Sequence, residues 1–247
     1  GEEGALAEAL AVCLRALQGA LPALGASELV LATVALGRTA RAWSWLDAMD
    51  PLTGRRLHEE TLRAIGSASG LLGEEAVLHL EVSSAQAPAE PGANLRPLDG
   101  DGFSARELGL LLLGHGRALR RAPAPPGAAS HLVALSRSLG EAGRAEARSP
   151  GTAAPPGPAA TAAVAMSASA AVLTLAASHL GARAGLGEGR SAEMALGESA
   201  LECIAAWSWS GAGQPEVYKA LSAVSEAGRS LARLCGAEAA AAAAAGG

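Results

Sequence analysis

The sequence predicts an all-α protein, a solenoid of stacked antiparallel helical hairpins, and three observations predict it. The 247-residue chain is 50% hydrophobic but only 2% aromatic. Alanine and leucine, the strongest helix formers, therefore build it, while the β-branched and aromatic residues that strands prefer are scarce. Tracts rich in proline and glycine at 85–102, 122–127 and 149–158 break the chain into segments of helical length. Lastly, a short pattern recurs in which an apolar residue is followed, four or five positions on, by a run closing on glycine or another small or apolar residue. The clearest copies are Leu62 with Ser67–Gly73, Leu108 with Leu113–Leu119 and Ala170 with Leu175–Gly181. Looser ones are Leu29 with Val34–Ala40 and, slipped by one, Leu201 with Trp207–Gly213. Chains of degenerate helical repeats generally bind along a surface instead of reacting in a pocket.

Ten helical segments follow in order: 4–21, 26–40, 42–50, 57–71, 74–84, 104–121, 128–147, 159–183, 191–211 and 215–235. Ser27 and Glu28 open the second. Ser104 stands three residues before Glu107, as a capping box requires, and Pro215-Glu216 fits a first helical turn. In 106–121, Leu108, Leu111, Leu112 and Leu119 form an apolar stripe, and Arg106, Arg117, Arg120 and Arg121 fall elsewhere. The stretch 159–182 carries no charge and has the length of a membrane span, yet Ala, Ser and Thr dominate it. Its transfer gain is small, so it reads as a buried solenoid helix. The resulting organisation is N-terminal repeats at 1–84, a loop at 85–102, a central basic repeat at 103–148, a loop at 149–158, C-terminal repeats at 159–236 and an Ala/Gly tail at 237–247.

With so few rings, the core is expected to be Leu, Ala and Val at close helix–helix approach. Trp43, Trp45, Trp207 and Trp209, the largest apolar side chains, read as packing residues before base-stacking ones, and Tyr218 likewise. Cys13, Cys203 and Cys235 are three, far apart and without a CxxC pair, so they read as buried small apolar side chains in a reducing compartment. His58, His79, His115, His131 and His179 show no helical ligand spacing and read as packing or surface; no metal or cofactor site is indicated. No nucleophile elbow, phosphate loop or HExxH is present, and Gly185-Leu186-Gly187-Glu188-Gly189 lacks a preceding strand. A non-enzymatic role follows as the expectation.

Charge is unevenly placed. The net charge of −5 argues against a nonspecific nucleic-acid binder. Locally, Arg106, Arg117, Arg120, Arg121, Arg137, Arg144 and Arg148 outnumber Glu107, Glu141 and Glu146 between 103 and 150. A second group, Arg38, Arg41, Arg55, Arg56 and Arg63, is partly offset by Asp47, Asp50, Glu59 and Glu60. On a solenoid these guanidiniums could line a groove and hold phosphates in bidentate contacts. Arg38, Arg41, Arg55, Arg56, Arg63, Arg106, Arg117, Arg120, Arg121 and Arg137 are therefore the candidate RNA-binding residues. Lys219 is the one lysine and alanine runs through 239–245, the coding bias of a GC-rich genome, green algal or actinobacterial.

The stretch from Phe103 through Ser104 and Leu108 to Leu113 resembles F-S-P-Q-x-L-S-N-T-L-W-A-L-A, the first helix of the octotricopeptide repeat of green algal organellar proteins. Trp207-Ser208-Trp209-Ser210-Gly211-Ala212-Gly213, followed by Pro215, is similar to that family's W-A-L-A-K-L-G and the proline opening its second helix. Arg41–Met49, with Trp45-Leu46, is similar to such a second helix. The repeat ends at Ala40, Gly73, Leu119, Gly181 and Gly213 lie, by subtraction, 33, 46, 62 and 32 residues apart. One unit is thus diverged or interrupted, and the family's P-P-P-E-W tract is absent. The resemblance implies an RNA-binding or scaffold protein of the mitochondrial matrix, or alternatively the chloroplast stroma. Its expected place is as an accessory subunit of the mitochondrial ribosome that stabilises rRNA beside neighbouring proteins. No DNA partner is expected and no membrane one. The alternative is a protein–protein scaffold subunit of a large organellar complex that touches no RNA.

Overall fold

The computed structural model describes residues 2–47, 55–85, 102–148, 158–182, 190–207 and 213–245. These residues form eight α-helices and no strand: α1 (Glu2–Ala20), α2 (Ala26–Asp47), α3 (Arg55–Ala85), α4 (Ala105–Leu119), α5 (Ala128–Arg148), α6 (Pro158–Ala182), α7 (Arg190–Ala206) and α8 (Gln214–Ala245). A 3-10 turn at Leu21–Ala23 joins the first two. The all-α expectation stands. The ten segments become eight because 26–40 and 42–50 fuse into α2, and 57–71 and 74–84 into α3. No breaker separates Ala40 from Trp43, and Gly70 and Gly73 lie inside a helix whose neighbours press on them. The helix expected at 215–235 runs further, since α8 continues through the Ala-rich stretch to Ala245 as alanine's propensity dictates. In the other direction, 191–211 is shortened: α7 stops at Ala206, and 208–212 lie outside the described residues, as do 86–101 and 149–157.

Even-numbered helices pack on one another in sequence, α2 on α4, α4 on α6 and α6 on α8. The odd-numbered ones do the same, α1 on α3, α3 on α5 and α5 on α7. Cross-contacts α2–α3, α4–α5 and α6–α7 tie the two rows together. The core is correspondingly continuous. Leu29, Ile65, Leu72, Leu111, Leu112, Leu135, Leu139, Val172 and Leu173 are all fully buried. α4 serves two clusters at once, with Leu108, Leu111 and Leu112 in the one that includes α5 and α6 and Ala118 packed with Leu29, Leu36 and Ile65.

Backbone contact sets the spacing of the even row. A Cβ on Gly37 of α2 would stand 2.6 Å from the Gly114 carbonyl oxygen of α4, and one on Gly114 would stand 2.7 Å from the Thr33 oxygen. Neither atom can retreat without moving a helix. On the opposite side of α4, a Gly109 Cβ would meet Val164 at 2.8 Å and a Gly116 Cβ would meet Ala171 at 3.1 Å. α6 answers with Ala162, Ala165, Ala168 and Ala176, all buried. The uncharged 159–182 stretch is thus a core helix. Among the described residues it is one of two stretches long and apolar enough to cross a membrane, the other being Gly4–Ala23; 67% of the 159–178 window is buried inside the protein and 17% of the 4–23 window.

Ridge and loop fit together in the odd row. Gly66, Gly70 and Gly73, one face of α3, receive the Pro123 oxygen and the Pro125 ring of the α4–α5 connection and the His131 ring of the first turn of α5. That connection turns at Gly127, whose φ of +82° belongs to glycine. Helix entry at α4 follows the expected chemistry. Glu107 N–H donates to Ser104 Oγ (3.3 Å), Ser104 N–H donates to Glu107 Oε2 (2.8 Å), and Ser27 Oγ of α2 donates to Glu107 Oε1 (2.9 Å). Burial pushes the Glu107 carboxyl up, but these hydrogen bonds outweigh it and hold its pKa below the usual value. Thus one carboxylate caps α4 and ties it to α2.

Gly114→Val is expected to destabilise the fold by about 2 kcal/mol or more, because the α2 backbone has nowhere to go. Gly236→Ala, with nothing within 4 Å, should instead stabilise it by about 0.5–1 kcal/mol. Urea unfolding followed by circular dichroism checks both signs.

Candidate functional site

The Gly37–Gly114 crossing decides which arginines meet. Arg117 follows Gly114 by three residues, and its Cβ lies 3.2 Å from where a Gly37 Cβ would be. Arg38 and Arg41 occupy the same reach of α2, and all three are exposed. Partial burial first, then the charges of Arg41 and Arg38, push the Arg117 pKa down. A guanidinium stays charged even so. The backbone contact therefore places the bases of these three side chains on one patch.

The remaining arginines have separate fates. Arg63 pairs with Glu59 at 3.4 Å on an exposed turn of α3, a pair of small energetic value. Arg120 reaches Glu226 of α8 at 3.7 Å, both more than a third exposed. Thr174 of α6 donates to the Ala170 carbonyl (2.8 Å), lies 3.3 Å from Glu226 Oε1 and takes a bond from Ser230 (2.9 Å). Arg121 follows the end of α4 and is exposed. Arg106 sits eleven residues before Arg117, about 16 Å along the helix. Arg137 is on α5, in the other row, beside a shallow hollow of about 300 Å³ lined also by Ala129, Ser130, Val133 and Ala195. The side chains of Arg55 and Arg56 lie outside the described residues. Of the ten candidates, the structure gathers Arg38, Arg41 and Arg117.

Of the histidines expected as packing or surface, His115 is packing, and it forms a buried polar pair. His115 is 2% exposed and its Nδ1 is 2.9 Å from Ser69 Oγ of α3, while its Nε2 has no hydrogen-bond partner. The His131 Nδ1 is equally buried and unpaired, and both rings line the Gly73 contact. Burial, reinforced by His131, lowers the His115 pKa to about 4. The signal was present: 115 falls on the 108, 111, 112, 119 stripe, four residues from Leu111 and Leu119. Among the described residues, no three His, Cys, Asp or Glu converge as metal ligands.

Other expectations divide. Trp43 and Trp207 are packing residues, each 6% exposed; Trp43 stacks on His58 at 6.4 Å, and a Gly143 Cβ would touch the Trp207 indole. The side chains of Trp45 and Trp209 lie outside the described residues. Tyr218, by contrast, is 74% exposed. Of the cysteines only Cys203 is buried, and burial raises its thiol pKa; Cys13 and Cys235 are exposed. Both exposed cysteines, like Tyr218, belong to terminal helices that have only one neighbour in their row, so a face stays uncovered.

The chain matches no known family, no curated protein and no solved structure.

Because the folded pKa of His115 lies below the unfolded value of 6.5, folding stability is complete above pH 6.5 and falls as pH drops toward 4. The loss attributable to His115 is about 3 kcal/mol. His115→Gln, which keeps a polar group against Ser69, should flatten that slope in urea melts run between pH 7 and 4.

Proposed function

We propose that this chain is a helical-repeat scaffold that binds the phosphate backbone of RNA through Arg38, Arg41 and Arg117. The observation carrying the reading is the guanidinium triplet fixed by the Gly37–Gly114 crossing. An oxyanion pair seated among these guanidiniums would take charge-assisted, bidentate hydrogen bonds. The rest of the surface is acidic enough, at a net −5, to discourage indiscriminate binding.

The two interlocked rows of helices support a solenoid of antiparallel hairpins, with α2–α3, α4–α5 and α6–α7 as the units. The Phe103–Leu119 stretch, which resembles an octotricopeptide first helix, forms α4 from its Ser104 cap and carries Arg117. On that resemblance the RNA is an organellar rRNA and the setting a mitochondrial ribosome, with the chloroplast stroma as the other location. The role is non-enzymatic. A second reading, a scaffold that packs on proteins alone, is favoured by Val217, Leu221 and Val224, which are exposed along α8.

Fluorescence anisotropy with a labelled single-stranded RNA separates the two. The RNA reading expects a slope of log affinity against log salt of about −2, from three phosphate contacts. It also expects at least a hundredfold weakening in the triple variant Arg38→Glu, Arg41→Glu, Arg117→Glu, with Arg63→Gln near wild type and all variants helical. RNA affinity that ignores both salt and the triple variant would sink the assignment.

A further inference from the structure

α8 carries two stripes, and only one has a partner. Ala220, Ala223, Ala227, Ser230 and Leu234 are buried, facing the rest of the bundle, where Ser230 meets Thr174 of α6 and Leu234 meets Gly197 of α7. About 100° round the helix lies a second stripe: Val217, Leu221, Val224, Gly228, Leu231 and Cys235. All six are exposed: Val217 41%, Leu221 62%, Val224 50% and Leu231 37%, with nothing within 4 Å of Gly228 and with Cys235 open to solvent. Their spacing is 4-3-4-3-4, the seam of a coiled coil. Glu226, near Arg120 and Thr174, points to the opposite flank, so the bundle leaves the seam uncovered.

We propose that this seam pairs with the same seam of a second copy of the chain, antiparallel, about a two-fold axis at Glu226. The spacing reads identically in both directions. Turned about that axis, Val217 meets the second copy's Cys235, Leu221 meets its Leu231, and Val224 fills the space over its Gly228. Each layer pairs once above the axis and once below it, as an isologous contact requires. A parallel, in-register pair would stack glycine on glycine and leave a void, and would set two helix dipoles side by side. No charge lies on the seam or at its flanking positions, Tyr218, Ser225 and Ala232 on one side and Ala220, Ala227 and Leu234 on the other. A charged partner helix finds nothing there to recognise. The seam is about 27 Å long, and two of them bury roughly 1,000 Å², at the lower limit for a specific interface. An interface of that size suits a weak, reversible dimer, with a dissociation constant on the order of micromolar. The proposal uses none of the arginine triplet and stands or falls without RNA.

Sedimentation equilibrium of the full chain, in reductant and without RNA, is the test. Wild type should pass from monomer to dimer as concentration rises through the micromolar range. Leu221→Glu with Leu231→Glu should raise the dissociation constant at least tenfold with an unchanged far-ultraviolet spectrum, since both side chains are exposed. For orientation, Ser225→Cys in a Cys13→Ser, Cys235→Ser background should oxidise to a disulfide dimer, because residue 225 adjoins the axis. Cys235 alone, in Cys13→Ser, should not. A wild type that stays monomeric, a double variant that dimerises as wild type does, or ready Cys235–Cys235 linkage each overturns the proposal. So does a monomer that instead floats with 4:1 phosphatidylcholine–phosphatidylserine vesicles and loses that binding in the double variant.

Discussion

Backbone touching backbone between α2 and α4 is the constraint on which the rest of this structure depends. At Gly37 and Gly114 the two helices come so close that neither position admits a methyl group. The low aromatic content has its physical reason there. Rings need wide interhelical spacing, and a core of Ala, Gly, Ser and Thr with Leu between replaces their bulk by proximity. The same device repeats along the even row, at Gly109 and Gly116 against Val164 and Ala171, and at Thr174 against Ser230. Each helix is thus positioned by the one before it, so an error at α2–α4 would propagate to α8.

The proposed function inherits that constraint. The crossing fixes where the Arg38, Arg41 and Arg117 side chains leave their helices, so the three start from one patch of the surface. On the reading proposed above, that shared origin lowers the ordering cost of binding an anionic backbone. At the opposite end of the row, α8 packs on α6 and leaves an apolar seam exposed.

Much of the fold was legible because it rests on local chemistry. Proline-glycine tracts placed the breaks, Ser104 and Glu107 announced the start of α4, and alanine and leucine left no room for strands. The fusions at Ala40–Trp43 and Leu71–Gly73 were not legible, since glycine in α3 is a breaker by propensity and a socket by packing. Only the neighbour, the Pro125 ring or His131, tells the two apart. The site was half legible for the same reason. Arg117 stood out on the polar face of α4, but its link to Arg38 and Arg41, some 80 residues away, exists only through a tertiary crossing. Cys13, Cys235 and Tyr218 were misread because residue type says nothing of being on a terminal helix.

One measurement tests the central claim most directly. Nitroxide labels placed at Arg38→Cys and Arg117→Cys, in a chain with Cys13→Ser, Cys203→Ala and Cys235→Ser, should broaden each other's continuous-wave spectra strongly, because helices in backbone contact put them on one patch. Two sharp, uncoupled spectra from a folded protein would contradict the crossing, and with it the site built on it.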